Sequence, residues 1–178
     1  MKPTTTVDGV PLAGLGRRFV ARLIDGLLTG TVATLLTLPF LLTFLQGVSD
    51  WVDEQNRILE QGGVMTSDPF TIYSQTGFWT YAMVSLAAYV LVTGLYTVLL
   101  IRFKGATLGK KAMHVRVRPV AAEGLPTWGQ ATTRWLMYEV LGEIVSMYAL
   151  LDILWPLWDT NKQALHDKVA KTIVVSAP

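Results

Sequence analysis

The chain has 178 residues, 51% of them hydrophobic and only 16% charged, with a mean hydropathy of +0.40. A soluble domain usually carries about 25% charged residues, so this composition points to lipid as the solvent. The formal net charge of +2 is too small to draw nucleic acid, the lack of cysteine excludes disulfides and thiolate chemistry, and two widely separated histidines exclude a His-rich metal site.

One domain is expected over residues 1–178, an all-α membrane protein built as a small multi-pass helical bundle. Its first 16 residues are mostly polar or small. No cleavable signal peptide is expected, because the first apolar run is too long for one and no A-x-A site follows it. That run, Phe19 to Leu45, is the first predicted span, with Pro39 kinking its far end. Asp25 lies inside it. A carboxylate within a span costs roughly 2.5–3.5 kcal/mol and needs a partner or a use. Residues seven apart lie about 20° apart around a helix and about 10.5 Å along it, so Arg18 shares a stripe with Asp25. Arg22 falls between them, three residues before Asp25. The expectation is a charged ladder, Arg18–Arg22–Asp25, descending from the membrane surface. Asp25 is then either a structural anchor paired with an arginine or a binding carboxylate for a cation or proton, about 9 Å deep. Gly26-x-x-x-Gly30, extended by Ala33 and Thr37, predicts close packing against the second helix.

Residues 46–77 hold Asp50, Asp53, Glu54, Glu60 and Asp68 against Arg57 alone. They are expected to form an extracytoplasmic loop, with a short amphipathic helix from Val48 to Leu59. The second span, Phe78 to Ile101, carries no charge. Tyr81, Ser85, Tyr89, Thr93 and Tyr96 recur along it and make either interhelical hydrogen bonds or a hydrated face opposite Asp25. Residues 102–118 hold Arg102, Lys104, Lys110, Lys111, Arg116 and Arg118 with no acid. Basic loops stay cytoplasmic, which places the N-terminus and this segment inside. Gly105-Ala-Thr107-Leu-Gly109-Lys110 invites a phosphate-loop reading but fails it, since three residues separate the glycines and Lys111 follows. A tight turn from helix to strand is expected instead. Met113 to Arg118 alternates apolar and basic, which is strand periodicity.

The third apolar stretch, 128–158, is either one span or a helical hairpin. Trp135 and Trp155 would sit about 30 Å apart on a helix, like the two aromatic belts of a span. Glu139, Glu143 and Asp152 lie between them, and Pro156 interrupts the end. A hairpin is favoured because it keeps Lys162, Lys168 and Lys171 inside. Glu139 and Glu143 share a face that is wet or holds a proton, with Arg134 as the nearby cation. His166-Asp167 resembles half of a catalytic dyad but has no nucleophile. Asp167 is expected to cap a turn or to pair with a basic residue of the cytoplasmic loop. Lys171 to Ser176 is β-branched and is expected to pair with 113–118 as a small cytoplasmic β-ribbon.

Three segments together carry a family resemblance. Arg17-Arg18-Phe19-Val20-Ala21-Arg22-Leu23-Ile24-Asp25 resembles the opening signature of RDD-family membrane proteins, named for one arginine and two aspartates. Gly105-x-Thr107-x-Gly109-Lys110, running into Val115 and Val117, is similar to the second signature. Leu165-His166-Asp167-Lys168, leading to Thr172-Ile173-Val174-Val175, is similar to the closing one. They occur in order over residues 14 to 176. The resemblance implies Arg18, Asp25 and Asp167 as the name-giving residues, with Arg17 a substitute for Arg18 and Asp152 for Asp167. The third stretch is compact for the family, and its two glutamates match no signature. The resemblance also implies a bacterial cytoplasmic (inner) membrane protein of uncertain function, with transport suggested and cation–proton exchange the most concrete proposal.

The expected function is therefore transport-related. Asp25 is the binding carboxylate and Arg18 or Arg22 the competing internal cation. Glu139, Glu143, Asp152 and His166 are secondary candidates. The expected partners are the lipid bilayer, cations or protons, and a second copy or a membrane partner protein. No nucleic acid, cofactor, resident metal or enzymatic activity is expected. The rival is a non-transporting adaptor or assembly factor working through its basic cytoplasmic face.

Overall fold

A computed structural model of the chain describes residues 5–177, with Ser146 described by its backbone alone. The contacts divide it into two compact units, one of Met1–Thr29 with Leu91–Pro178 and the other of Gly30–Val90. Helix α1, Leu15–Glu60, runs 46 residues without interruption, with Pro39 inside it. The helix thus continues past the predicted span end at Leu45. The amphipathic segment 48–59 continues the same helix, because its apolar residues extend the helical periodicity and the single Gly47 between them stays helical. Helix α3, Phe78–Lys104, matches the predicted second span and ends on Arg102 and Lys104, where cations suit the carbonyl-rich helix end. Both helices are long and apolar enough to cross a membrane.

The unit 30–90 holds most of α1, helix α2 (Pro69–Gln75) and the first half of α3. Asp68 caps α2, its carboxylate accepting the Phe70 and Thr71 amides. Phe44 stacks on Tyr81 with ring centres 5.5 Å apart and meets Phe78 edge-on. Gly47 is the close-approach glycine of this unit, since a Cβ there would lie 2.5 Å from the Thr76 carbonyl oxygen. Gly26 and Gly30 are not, since a Cβ at either would meet nothing within 4 Å. Neither glycine is therefore held by a close backbone approach, although Thr37 further along the predicted stripe is buried.

The other unit is organised around a two-stranded ribbon. Helix α4 (Leu108–Ala112) leads into β1 (Val115–Pro119), which pairs antiparallel with β2 (Thr172–Ser176), Val117 opposite Val174. The predicted ribbon is present. Leu12 bridges to Val175, and the Ala13 amide donates to the Val174 carbonyl at 3.1 Å, so the N-terminal segment covers the free edge of β2. Arg118, buried on β1, makes a two-pronged pair with Asp8 at 2.5 Å, which holds the Asp8 carboxyl below the ordinary carboxylate range. Ala13, Ala21, Ile101, Val115, Val117, Ala131 and Val174 form one buried core that joins α1, α3, the ribbon and helix α5 (Trp128–Trp135).

The stretch 128–158 is broken. After α5 come a single π-type turn (Leu136–Val140) and the short α6 (Leu141–Ile144). Val145 is extended (φ −125°, ψ 89°), and α7 (Ser146–Leu154) ends in a 3₁₀ turn at Pro156. No helix here is long enough to cross a bilayer alone, which argues against one straight span. Helix α8 (Leu165–Val169) then hands the chain to β2.

Ile101 is fully buried where α3 meets the ribbon. Ile101→Ala should cost about 2–5 kcal/mol in detergent unfolding, whereas Leu99→Ala, on the exposed side of the same helix, should cost under about 1 kcal/mol.

Candidate functional site

The sequence places Arg18, Arg22 and Asp25 on one stripe of α1. The fold sends them to three different parts of the chain, so the predicted ladder is corrected. Its spacing describes neighbours on one helix, whereas the stronger partners arrive from elsewhere.

Asp25 is bound by the turn that follows α3. Gly105, with φ +67°, ends that helix, and Thr107 caps α4. One Asp25 oxygen accepts the Tyr96 hydroxyl at 2.6 Å and the Gly109 amide at 2.7 Å. The other accepts the Thr107 hydroxyl at 2.5 Å and faces the Lys110 ammonium at 3.7 Å. The Tyr96 oxygen in turn accepts the Leu108 amide at 3.0 Å. Hydrogen bonds to a charged group contribute roughly 1.5–3 kcal/mol each, so this set offsets much of the desolvation of Asp25. Gly109 is required, since a Cβ would overlap the Ala21 carbonyl oxygen and lie 2.7 Å from the carboxylate. The phosphate-loop reading failed on spacing, yet the turn does cradle an anion, and that anion is the protein's own. Lys110 is only 22% exposed. Burial pushes its pKa down, Asp25 partly restores it, and the balance is about 8.

Asp167 centres a second cluster. It is buried between Arg134, which it pairs with directly, and Arg18 at 3.4 Å, and it also accepts the Ala164 amide at 3.1 Å. The expected cap is therefore present. The predicted basic partner from the loop is replaced by two helical arginines. Arg18 also donates to the carbonyls of Lys162 (2.6 Å) and Val174 (3.0 Å), stitching the start of α1 to the ribbon. Arg134 further donates to the Thr172 hydroxyl at 2.5 Å. Burial would raise the Asp167 pKa, but Arg134, His166 and Arg18 outweigh it and hold the carboxyl well below the carboxylate range.

His166 sits between two aspartates, with Nδ1 on Asp152 and Nε2 3.4 Å from Oδ1 of its sequence neighbour Asp167. Its backbone amide and Nδ1 contact the two Asp152 oxygens at 2.8 and 2.6 Å. Its Nε2 lies 3.2 Å from an Arg134 nitrogen, which can only donate. Nδ1 faces a carboxylate oxygen that can only accept, so it carries a proton toward Asp152. Arg22 stacks over the Tyr138 ring and pairs with Glu139 at 3.6 Å. Arg134, the nearby but poorly aligned cation five residues before Glu139, pairs with Asp167 instead. Glu143 lies exposed on α6. Arg17 is exposed, which leaves Arg18 as the signature arginine of the cluster, and Asp152 takes His166 and does not replace Asp167. Of the polar residues on α3, Tyr96 reaches Asp25 and Thr93 accepts the Trp135 indole N–H at 3.1 Å.

The sequence reading missed Lys110 as the cation of Asp25, and Arg134 and Thr172 as partners of the second cluster. One signal was available: Arg134 opens the apolar run Trp135 to Tyr138 and so calls for an opposite charge. A cavity of about 370 Å³ opens beside both clusters, with Arg18, Arg22, Lys110, Arg134, Asp152 and Asp167 on its wall.

A family model described as RDD family matches residues 12–171. No curated protein and no solved structure matches the chain.

Gly109→Ala should force α1 and the turn apart and cost about 1–3 kcal/mol in thermal unfolding, whereas Gly129→Ala, where a Cβ meets only Thr127 Oγ1 at 3.9 Å, should be neutral or stabilising. Acylation of Lys110, followed across pH by peptide mass spectrometry, should reach half its maximal rate near pH 8. The sign follows from burial favouring the neutral amine. Because Asp25 raises this pKa, Asp25→Asn should move the midpoint lower still.

Proposed function

The chain belongs to the RDD family, and from that premise we propose that it is a transport-related membrane protein exchanging a monovalent cation for a proton, with Asp25 as the binding carboxylate. The observation that carries this reading is the Lys110 ammonium 3.7 Å from the Asp25 carboxylate. It replaces Arg18 or Arg22 as the internal cation, and the change has a chemical consequence. An arginine stays charged at any physiological pH, whereas a desolvated lysine gives up its proton readily. A cation arriving at Asp25 would displace the ammonium, and Lys110 would release one proton as the neutral amine. One positive charge enters and one leaves, so the site keeps its charge. The Thr107 and Tyr96 hydroxyl oxygens, within hydrogen-bond reach of the carboxylate, are suitable further oxygen ligands for a hard cation.

The basic residues flanking the spans support an inner-membrane protein with a cytoplasmic N-terminus. Pairing of β1 with β2 requires residues 115–119 and 172–176 to share one side, which supports a hairpin for 128–158. Two spans and a hairpin enclose little volume, so a pathway would call for a second copy or a membrane partner. The rival, a non-transporting adaptor, draws support from the exposed Lys104, Lys111 and Arg116 around the ribbon.

Proteoliposomes with an internal pH indicator test the reading under sodium and potassium gradients. Wild type should alkalinise or acidify the lumen according to gradient direction. Asp25→Asn should lose the flux. Lys110→Arg, which keeps the charge but cannot release the proton, should lose it too. Equal flux in all three would overturn the Asp25–Lys110 site, and no flux in correctly inserted wild type would favour the adaptor.

A further inference from the structure

We propose that the cavity beside the two charge clusters binds an anionic amphiphile, a phosphate-bearing headgroup with its acyl chain. The cavity, about 370 Å³, lies within the size range of ligand sites and is formed wholly by the ribbon-containing unit. Its wall carries four cations, Arg18, Arg22, Lys110 and Arg134, against two carboxylates, Asp152 and Asp167. Both carboxylates are consumed within that wall, Asp167 by Arg134, Arg18 and the Ala164 amide, and Asp152 by the amide and ring of His166. The acids that balance Lys110 and Arg22, namely Asp25 and Glu139, pair with them at 3.7 and 3.6 Å but do not line the cavity. Cations therefore outnumber carboxylates on the surface that a ligand meets. A metal cation would be repelled by the guanidinium groups, and a neutral amphiphile would gain no charge-assisted contact from them.

The other half of the argument is apolar. Phe19, Ile153, Leu154 and Leu157 also line the cavity, and each is exposed. A free phosphate would satisfy the cations and leave these side chains in contact with water, whereas an acyl chain covers them. Basic pockets beside membrane helices hold anionic headgroups by this combination. The inference does not depend on exchange at Asp25, and the test leaves Lys110 and Asp25 unchanged so that the two readings fail separately.

Detergent-purified full-length chain would be titrated with three probes while its thermal unfolding is followed: short-chain phosphatidic acid, short-chain phosphatidylcholine and sodium phosphate. Phosphatidic acid should give a saturable rise in the midpoint, with no comparable rise from phosphatidylcholine, which has tails without net charge, or from phosphate, which has charge without tails. Arg22→Gln should weaken the phosphatidic acid response about tenfold or more, the loss of one charged contact. Ile153→Trp, which narrows the cavity while remaining apolar, should abolish it without lowering the unliganded midpoint. A response equal for phosphatidylcholine, a full response to phosphate alone, no response to any probe, or unchanged titrations in both variants would each overturn the proposal.

Discussion

The carboxylate of Asp25 is the point on which the rest of this arrangement turns. A charge there has no stable place on an apolar helix unless the chain returns to meet it. The return is made by the turn after α3, with a tyrosine hydroxyl, a threonine hydroxyl, a glycine amide and a lysine ammonium all directed at two oxygen atoms. Meeting that demand sets the close approach of the turn to Ala21, which only glycine at position 109 permits. From that turn the chain can only leave as β1, whose pairing with β2 closes the unit.

The Asp167 cluster answers the same physical demand at the other end of the chain. Two arginines from different helices converge on one buried carboxylate, and one of them also holds two backbone carbonyls of the C-terminal segment. Removing one member of such a set leaves an uncompensated buried charge, a loss of about 3–5 kcal/mol. A set of this kind specifies which segments meet more sharply than apolar packing does. It ties the first turns of α1, helix α5, helix α8 and the ribbon into a single unit around a small core of mostly Ala, Val and Ile.

The two clusters differ in which cation faces which acid. Arginine and lysine are equivalent as charges but not as proton donors. Asp167 is held by arginines, so its environment is permanent. Asp25 is held by a lysine whose burial makes the proton removable, so its environment can change. The fold thus separates a fixed charge cluster from a labile one and sets both beside the same amphipathic cavity.

The sequence by itself determined the elements and their chemistry. Uncharged runs marked α1 and α3, alternation and β-branching marked the ribbon, and the three ordered signatures marked the family and its charged residues. These are legible because periodicity and composition report local geometry and solvent. The pairing of the charges was decided only by the tertiary structure. Arg18 is seven residues from Asp25, yet it meets Asp167, 149 positions away. Asp25 meets Gly109, 84 positions away. The break at Val145 and the continuation of α1 to Glu60 were likewise settled by the whole fold. A buried charge takes the opposite group that folding brings to it, and helical spacing ranks only the candidates on its own helix.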